Sequence, residues 1–166
     1  MKEILERRSI RKYTSEEVSE EQVKELLHAA MAAPSAGNAR PWEFIVLRNR
    51  DTFEKIMEVH PYSKMLKEAQ VAIVVCGNTE REYYDGYWVQ DCAAATENIL
   101  LMAKHLGLGS VWLGVYPREE RVSELREILS IPEKVIPLSL ISIGYPAEEK
   151  AIEDRYLEDR VHYERY

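Results

Sequence analysis

The segment from Gly86 to Leu106 sets the tightest limit on how this chain can fold. Gln90, Glu97 and Lys104 recur at a heptad interval, and so do Asp91, Asn98 and His105. At the helical angle of about 100° per residue these positions fall in one arc. Most of the remaining circumference is apolar or small, including Trp88, Val89, Cys92, Ala95, Ile99, Leu100, Met102 and Leu106. A surface helix carries a narrower apolar stripe, so this helix must be covered on more than one side. A central core helix of a monomer meets that demand. So does a helix held between its own sheet and a partner subunit. The pattern alone does not choose between them.

The flanking segments supply a sheet for this helix to cover. Residues 2–8 form a short helix. Ser19 and Gln22 make a capping box, and Val18 and Val23 the matching hydrophobic staple, for a second helix that Pro34 ends. The turn-rich "PSAGNARP" leads into a strand, Trp42–Leu47. Asp51 and Glu54 read as cap and N3 of a helix running to about His60. A helical turn around Ser63–Glu68 precedes the buried strand "VAIVVCG". Strand "SVWLGV", amphipathic helix "REERVSELREIL" and strand "PLSLISIGYP" complete the pattern. The order predicts an α+β or α/β chain with one sheet and helices around it. The tail, Ala147–Tyr166, is charged but carries Tyr156, Tyr163 and Tyr166. It is too polar for a core of its own, so its aromatics are expected to pack on an existing surface.

A chain of 166 residues is expected to form one domain, residues 1–166, with a core that needs no disulfide staples. Its net charge of -7 argues against general nucleic-acid binding. No apolar run reaches membrane-spanning length, and the N-terminus lacks the apolar core of a secretory signal. Cys76 and Cys92 read as buried free thiols in a reducing compartment, which predicts a cytoplasmic protein. The scattered histidines give no metal constellation.

"GLGSVWLG" invites a dinucleotide reading but fails it. The third glycine position is Trp112, and a helix precedes where a strand should. Gly107 is read as a helix C-cap and Gly109 as a turn. "RRSIRKY", Arg7–Tyr13, is different, because it concentrates four cations without an acid. Guanidinium groups bind phosphate oxygens bidentately, and Ser9 adds a donor. A solvated surface would also explain a short basic run. The small residues of "PSAGNARPW" would let a flat ligand approach the backbone, and Asn38 adds an amide that donates and accepts.

"RRSIRKY", "APSAGNARPWEF", "SKMLKEAQVAIVVC", "QDCAAATENILLMAKHLGLGSVWLGVYP", "LISIGYPAE" and "DRYLEDRVHYERY" together resemble the short members of the FMN-dependent nitroreductase family. They stand in family order over nearly the whole chain. The resemblance implies an α+β fold with a central mixed sheet flanked by helices. It also implies an intertwined homodimer with C-terminal tail exchange, which would put the Gly86–Leu106 helix between subunits. It implies an FMN site at the subunit interface. Arg7, Arg8, Ser9 and Arg11 match the N-terminal cofactor-binding segment: Arg7 and Ser9 at phosphate or ribityl oxygens, Arg11 near the pyrimidine edge. Pro34, Ser35, Ala36 and Asn38 match the loop given by the other subunit. Lys64 matches a lysine on the N1/O2 side, Leu113 and Gly114 the backbone beside the ring, and Arg155 a tail arginine at the phosphate. Two departures stand out. Glu153 replaces a basic residue found in some members, and the Leu113–Gly114 region lacks the carboxylate of larger members.

The implied activity is ping-pong transfer of hydride or electrons from NADH or NADPH to a nitroaromatic, quinone or similar small acceptor. Arg11 and Lys64 are the candidates for stabilising charge at N1 and O2. Tyr83, Tyr84, Tyr87 and Trp88 line the substrate side or simply pack the helix start. The competing readings are a flavin enzyme of related fold, performing flavin fragmentation or reductive dehalogenation, and a non-catalytic flavin-binding module.

Overall fold

The computed structural model describes residues 2–166. Among them five α-helices surround one four-stranded sheet. Helix α1 spans Lys2–Glu6, α2 Glu20–Met31, α3 Arg50–Val59, α4 Trp88–His105 and α5 Glu119–Leu129. Strand β1 spans Trp42–Leu47, β2 Val71–Asn78, β3 Gly109–Gly114 and β4 Val135–Gly144. The strand order is β1-β2-β4-β3, and every neighbouring pair is antiparallel. This corrects the expectation of a mixed sheet. Among the described residues the one parallel pairing is an isolated bridge between Ser9 and Ser110.

Period-two alternation explains the layers. Val71, Ile73 and Val75 of β2 join the core formed with α2 and α4. Ala72, Val74 and Cys76 join a second core with Phe53 and Ile56 of α3 and Leu125 of α5. With both faces covered, β2 is apolar without interruption, a pattern usual for buried parallel strands that here belongs to an antiparallel one. Pro137 sits inside the central strand β4 at a register shift, where Val75 faces Ser139 and Cys76 faces Pro137. A bulge removes the need for the donor that proline lacks.

The capping box of α2 forms as expected: Gln22 N–H donates to Ser19 Oγ at 3.2 Å and Ser19 N–H to Gln22 Oε1 at 2.9 Å. Helix α3 begins two residues earlier than expected. Its cap is Asn49, whose Oδ1 accepts from Thr52 N–H at 3.1 Å, rather than Asp51. Helix α4 packs on α2, α1 and the sheet. It buries Trp88, Cys92, Ala95, Thr96, Ile99, Leu100 and Ala103. Val89, Ala93, Ala94 and Leu101 remain only partly buried.

The basic segment lies across the ends of β3 and β4. Ile10 N–H donates to the Ser110 carbonyl at 3.0 Å, and Thr14 N–H to that of Tyr145 at 2.9 Å. Ile10 and Tyr13 point into the core while Arg11 stays exposed. The Tyr13 hydroxyl is tied to the Ile10 carbonyl at 2.7 Å and to Ser142 Oγ at 2.7 Å. Two glycines make the seat. Gly109 and Gly144 face each other in register. A Cβ on Gly109 would come within 2.7 Å of Ile10, and one on Gly144 within 3.0 Å of Tyr13. Gly109 is thus a strand residue under Ile10, not the expected turn, whereas Gly107 does take the left-handed conformation of a helix end, with φ +74°.

Gly109→Ala should therefore force Ile10 outward and cost about 1–3 kcal/mol, the range for overpacking. Urea denaturation measures it. An unchanged midpoint would show that Ile10 does not need this seat.

Candidate functional site

The seated segment borders two clefts that meet at Arg11. The first, about 420 Å³, is lined by Arg8, Ser9 and Arg11 and by Lys150, Ala151, Glu153 and Arg155 of the tail. Four cations face one carboxylate there, in a chain of net charge -7. The tail is laced to the segment. Lys150 Nζ donates to the Ser9 carbonyl at 2.6 Å, Arg8 Nε to that of Ala151 at 2.7 Å, and Arg11 N–H to Glu148 Oε1 at 2.6 Å. That last bond, more than the neighbouring Lys150, holds the Glu148 carboxyl below its ordinary pKa. Arg8 Nη2 is buried without a hydrogen-bond partner among the described residues. Arg155 meets Glu153 at 3.4 Å with both side chains about two-thirds exposed, so this pair contributes little.

The second cleft, about 410 Å³, has Arg11 and Lys64 on its walls with Tyr62, Trp112, Leu113 and Gly114, and no carboxylate lines it. Neither the Arg11 guanidinium nor the Lys64 ammonium has an acidic partner among the described residues. Gly114 ends the edge strand β3. A Cβ built on it meets nothing within 4 Å, unlike those on the other strand glycines, Gly77, Gly109 and Gly144. Packing does not require a glycine at this position, and its effect is to leave the cleft wall flat.

The Gly114 carbonyl accepts from two side chains. His60 Nε2 lies 3.0 Å away and Arg121 Nη1 2.9 Å away. His60 is only 1% exposed, and burial holds its pKa below the ordinary histidine value. Its Nδ1 accepts from Tyr62 N–H at 3.3 Å, which assigns the proton to Nε2.

The other sequence candidates lie apart. Arg7 turns toward α4, where Nε forms an ion pair with Glu97 Oε1 at 3.4 Å without hydrogen-bond geometry. It lines a neighbouring cleft with Glu6 and Lys104, not the one that holds Ser9 and Arg11. Pro34, Ser35, Ala36 and Asn38 line neither cleft at Arg11. Ser35 Oγ accepts from Arg40 N–H, Asn38 Oδ1 from Arg40 Nε, and Ala36 N–H donates to Asp91 Oδ1 at 2.9 Å. Asp91, read from the wheel as part of the polar arc, is thus buried at 5% exposure. Tyr83, Tyr84 and Tyr87 are exposed, while Trp88 is buried with Gly77 beneath its indole. Sequence reasoning missed His60, Lys150 and Trp112 as cleft residues. Lys150 reaches the site from the distant tail, while His60 and Trp112 stand beside the candidates Lys64 and Leu113 with no charge or motif that marks them.

A family model described as "Nitroreductase family" matches residues 4–145. A Methanothermobacter thermautotrophicus protein named "Putative NADH dehydrogenase/NAD(P)H nitroreductase" is 56% identical over 96% of this chain and 84% of its own length. A crystal structure of the same name from Parabacteroides distasonis superposes with a TM-score of 0.96 at 39% identity, covering 99% of this chain and 97% of the other. An FMN-dependent nitroreductase from Clostridium difficile R20291 superposes with a TM-score of 0.92 at 34% identity over 100% of both chains.

Proposed function

The chain belongs to the nitroreductase family, and from that premise we propose that it is an FMN-dependent oxidoreductase that takes electrons from NADH or NADPH. The acceptor is a nitroaromatic, quinone or similar small oxidant, and donor and acceptor use one cleft in turn. The observation that carries this reading is that Arg11 lines both clefts, a cation-rich one and a neighbouring one whose described lining holds no carboxylate. That sequence of surfaces suits a molecule with a phosphate at one end and a planar ring at the other.

The residues present are suited to FMN. Arg8 carries a buried nitrogen without a partner, and Gly114 leaves the space that a side chain would fill. Arg8, Ser9, Lys150 and Arg155 would hold the phosphate end, and Arg11 and Lys64 would flank the ring beside Leu113 and Gly114. When bound, FMN supplies the two-electron chemistry. The chain's own contribution is positioning and charge. Arg11 and Lys64, both exposed, place positive charge at one wall of the cleft, where negative charge on a reduced ring would be stabilised. Trp112 and Leu113 bring apolar surface beside it. No side chain in this cleft is poised as a general acid or base. Burial keeps His60 neutral, and its donor is spent on Gly114.

Residues 1–166 work as one FMN-binding domain in a reducing, cytoplasmic setting. The working unit is a homodimer with exchanged tails. The loop at Pro34, Ser35, Ala36 and Asn38 then completes the site from the other subunit, since within one chain it lies away from Arg11. The exposed Ile152, Tyr156, Leu157 and Tyr163 of the tail, and the half-covered apolar residues of α4, are the surfaces such a dimer would bury. Among the described residues no helix is long and apolar enough to cross a membrane.

The test is spectroscopic. The purified protein, supplied with FMN and gel-filtered, should retain a flavin spectrum, and anaerobic NADH or NADPH should bleach it. A protein that releases all flavin on the column would end this reading. One that keeps flavin but is bleached by neither nucleotide would end the nicotinamide part.

A further inference from the structure

We propose that His60 is a positioning residue: together with Arg121 it fixes the Gly114 carbonyl and so aims the Leu113–Gly114 backbone into the ring cleft. The proposal rests on the flavin reading of that cleft and deepens it.

Glycine at position 114 leaves room and gives the end of β3 a backbone with more conformational freedom. Strand pairing also runs out here. Val115 N–H and Tyr116 N–H both reach the single carbonyl of Leu138, at 3.1 Å each. The Gly114 carbonyl is held instead from two directions. His60 comes from the C-terminal end of α3 and Arg121 from the first turns of α5. A carbonyl oxygen has two lone pairs, and these donors use both.

His60 is itself tightly constrained. Its backbone N–H donates to the Ile56 carbonyl at 2.9 Å, and its own carbonyl accepts from Ser63 Oγ at 2.7 Å. Its ring meets Tyr62 edge-on with centroids 6.4 Å apart, and Arg121 stacks over the other ring of that pair, 5.4 Å from the Tyr62 centroid. One small cluster therefore joins α3, α5 and the end of β3 directly behind the cleft wall.

Neutral His60 is part of this arrangement. Burial lowers its pKa most and Arg121 acts in the same direction, while the bond to the Gly114 carbonyl, more than the nearby Glu124, opposes them; Arg11 and Lys64 are the other charges lining its cleft. A folded pKa below the ordinary 6.5 means that the unfolded chain takes up the proton first. Stability should then fall as pH drops below 6.5 toward the folded pKa.

Three variants test the assignment: His60→Leu, His60→Gln and Arg121→Met. Gln keeps a donor that can reach the Gly114 carbonyl, and Leu does not. FMN affinity is read by fluorescence quenching, and amide exchange over residues 113–115 is read in the flavin-free protein. His60→Leu should weaken FMN binding about fivefold, the worth of one net hydrogen bond, and accelerate exchange. Arg121→Met should do the same to a smaller degree. His60→Gln should keep affinity within about twofold, as expected when a donor is replaced by a donor. It should also lose the part of the stability loss that sets in as pH drops just below 6.5, leaving only the carboxylate-linked loss at lower pH. Parental affinity and exchange in both His60→Leu and Arg121→Met would overturn the proposal. If His60→Leu does not fold, Arg121→Met decides alone: unchanged exchange overturns it. A parent protein that binds no FMN defeats the flavin reading, and the exchange comparison still judges His60.

Discussion

Gly114→Val should fold as the parent does and bind FMN about a hundredfold more weakly, the upper end of what overpacking costs a well-fitted contact. The first half of this expectation follows from the space around the residue. A Cβ on Gly114 meets no atom within 4 Å, whereas one on Gly77 would come within 2.3 Å of the Trp88 ring. Gly114 is also absent from the glycines with positive φ, which are Gly37, Gly86 and Gly107. A β-branched residue at the end of an edge strand is conformationally favourable. The hydrogen bonds from His60 and Arg121 go to the backbone carbonyl and survive the substitution. The second half follows from where the new side chain would stand. Gly114 lines the cleft that Arg11 and Lys64 flank, and two added methyl groups there occupy the room that a planar ring needs. Thermal unfolding of the flavin-free protein and FMN titration are the paired measurements. An unchanged melting temperature with lost affinity supports the assignment. Parental affinity would show that the ring does not lie against Gly114, and a large loss of stability would show that the glycine serves packing after all.

The contrast between Gly114 and Gly109 also shows what the sequence can and cannot disclose. Both glycines lie in "GLGSVWLG", and local pattern gives no reason to separate them. One is required by Ile10, about a hundred residues earlier in the chain, and the other by no neighbour within 4 Å among the described residues. Features set by near neighbours were legible. The Ser19–Gln22 capping box, the four strands and the long helix α4 follow from side-chain chemistry and periodicity over a few turns. Where two neighbours offered the same chemistry, the reading slipped: Asn49 and Asp51 are both good caps, and the structure uses Asn49. The wheel puts Asp91 on a polar arc, and it cannot show that the Ala36 N–H comes to meet it. The mixed sheet came from resemblance, and the described strands pair only antiparallel. Of the site, "RRSIRKY" was visible as a charge anomaly. Its junction with Arg155 follows from resemblance alone, and that with Lys150 is not legible, because both residues approach from the far end of the chain.

Arg11→Ala should weaken FMN binding by about 2 kcal/mol, roughly thirtyfold, the typical value of a hydrogen bond to a charged group. The flavin-free protein should lose almost no stability. The Arg11 guanidinium is exposed and has no acidic partner among the described residues. What anchors the segment is its backbone, through Arg11 N–H to Glu148, and its neighbours Ile10 and Tyr13 in the core. None of these depends on the Arg11 side chain. Removing one of four cations from the first cleft also relieves their mutual repulsion. Position makes Arg11 more consequential than Arg7, which is engaged by Glu97 and borders a different cleft. Among the described residues it alone lines both the cation-rich cleft and the flat-walled one. Its loss should therefore also make the bound flavin harder to reduce, because positive charge near the ring favours the reduced form. Arg11→Lys separates charge from geometry: a lysine restores the charge without the bidentate fork and should recover part of the affinity. Raising the salt concentration should narrow the gap between parent and Arg11→Ala, since the lost contribution is partly long-range and exposed. Arg11→Ala with parental affinity and parental midpoint potential would remove Arg11 from the site and leave Lys64 as the sole cation beside the ring.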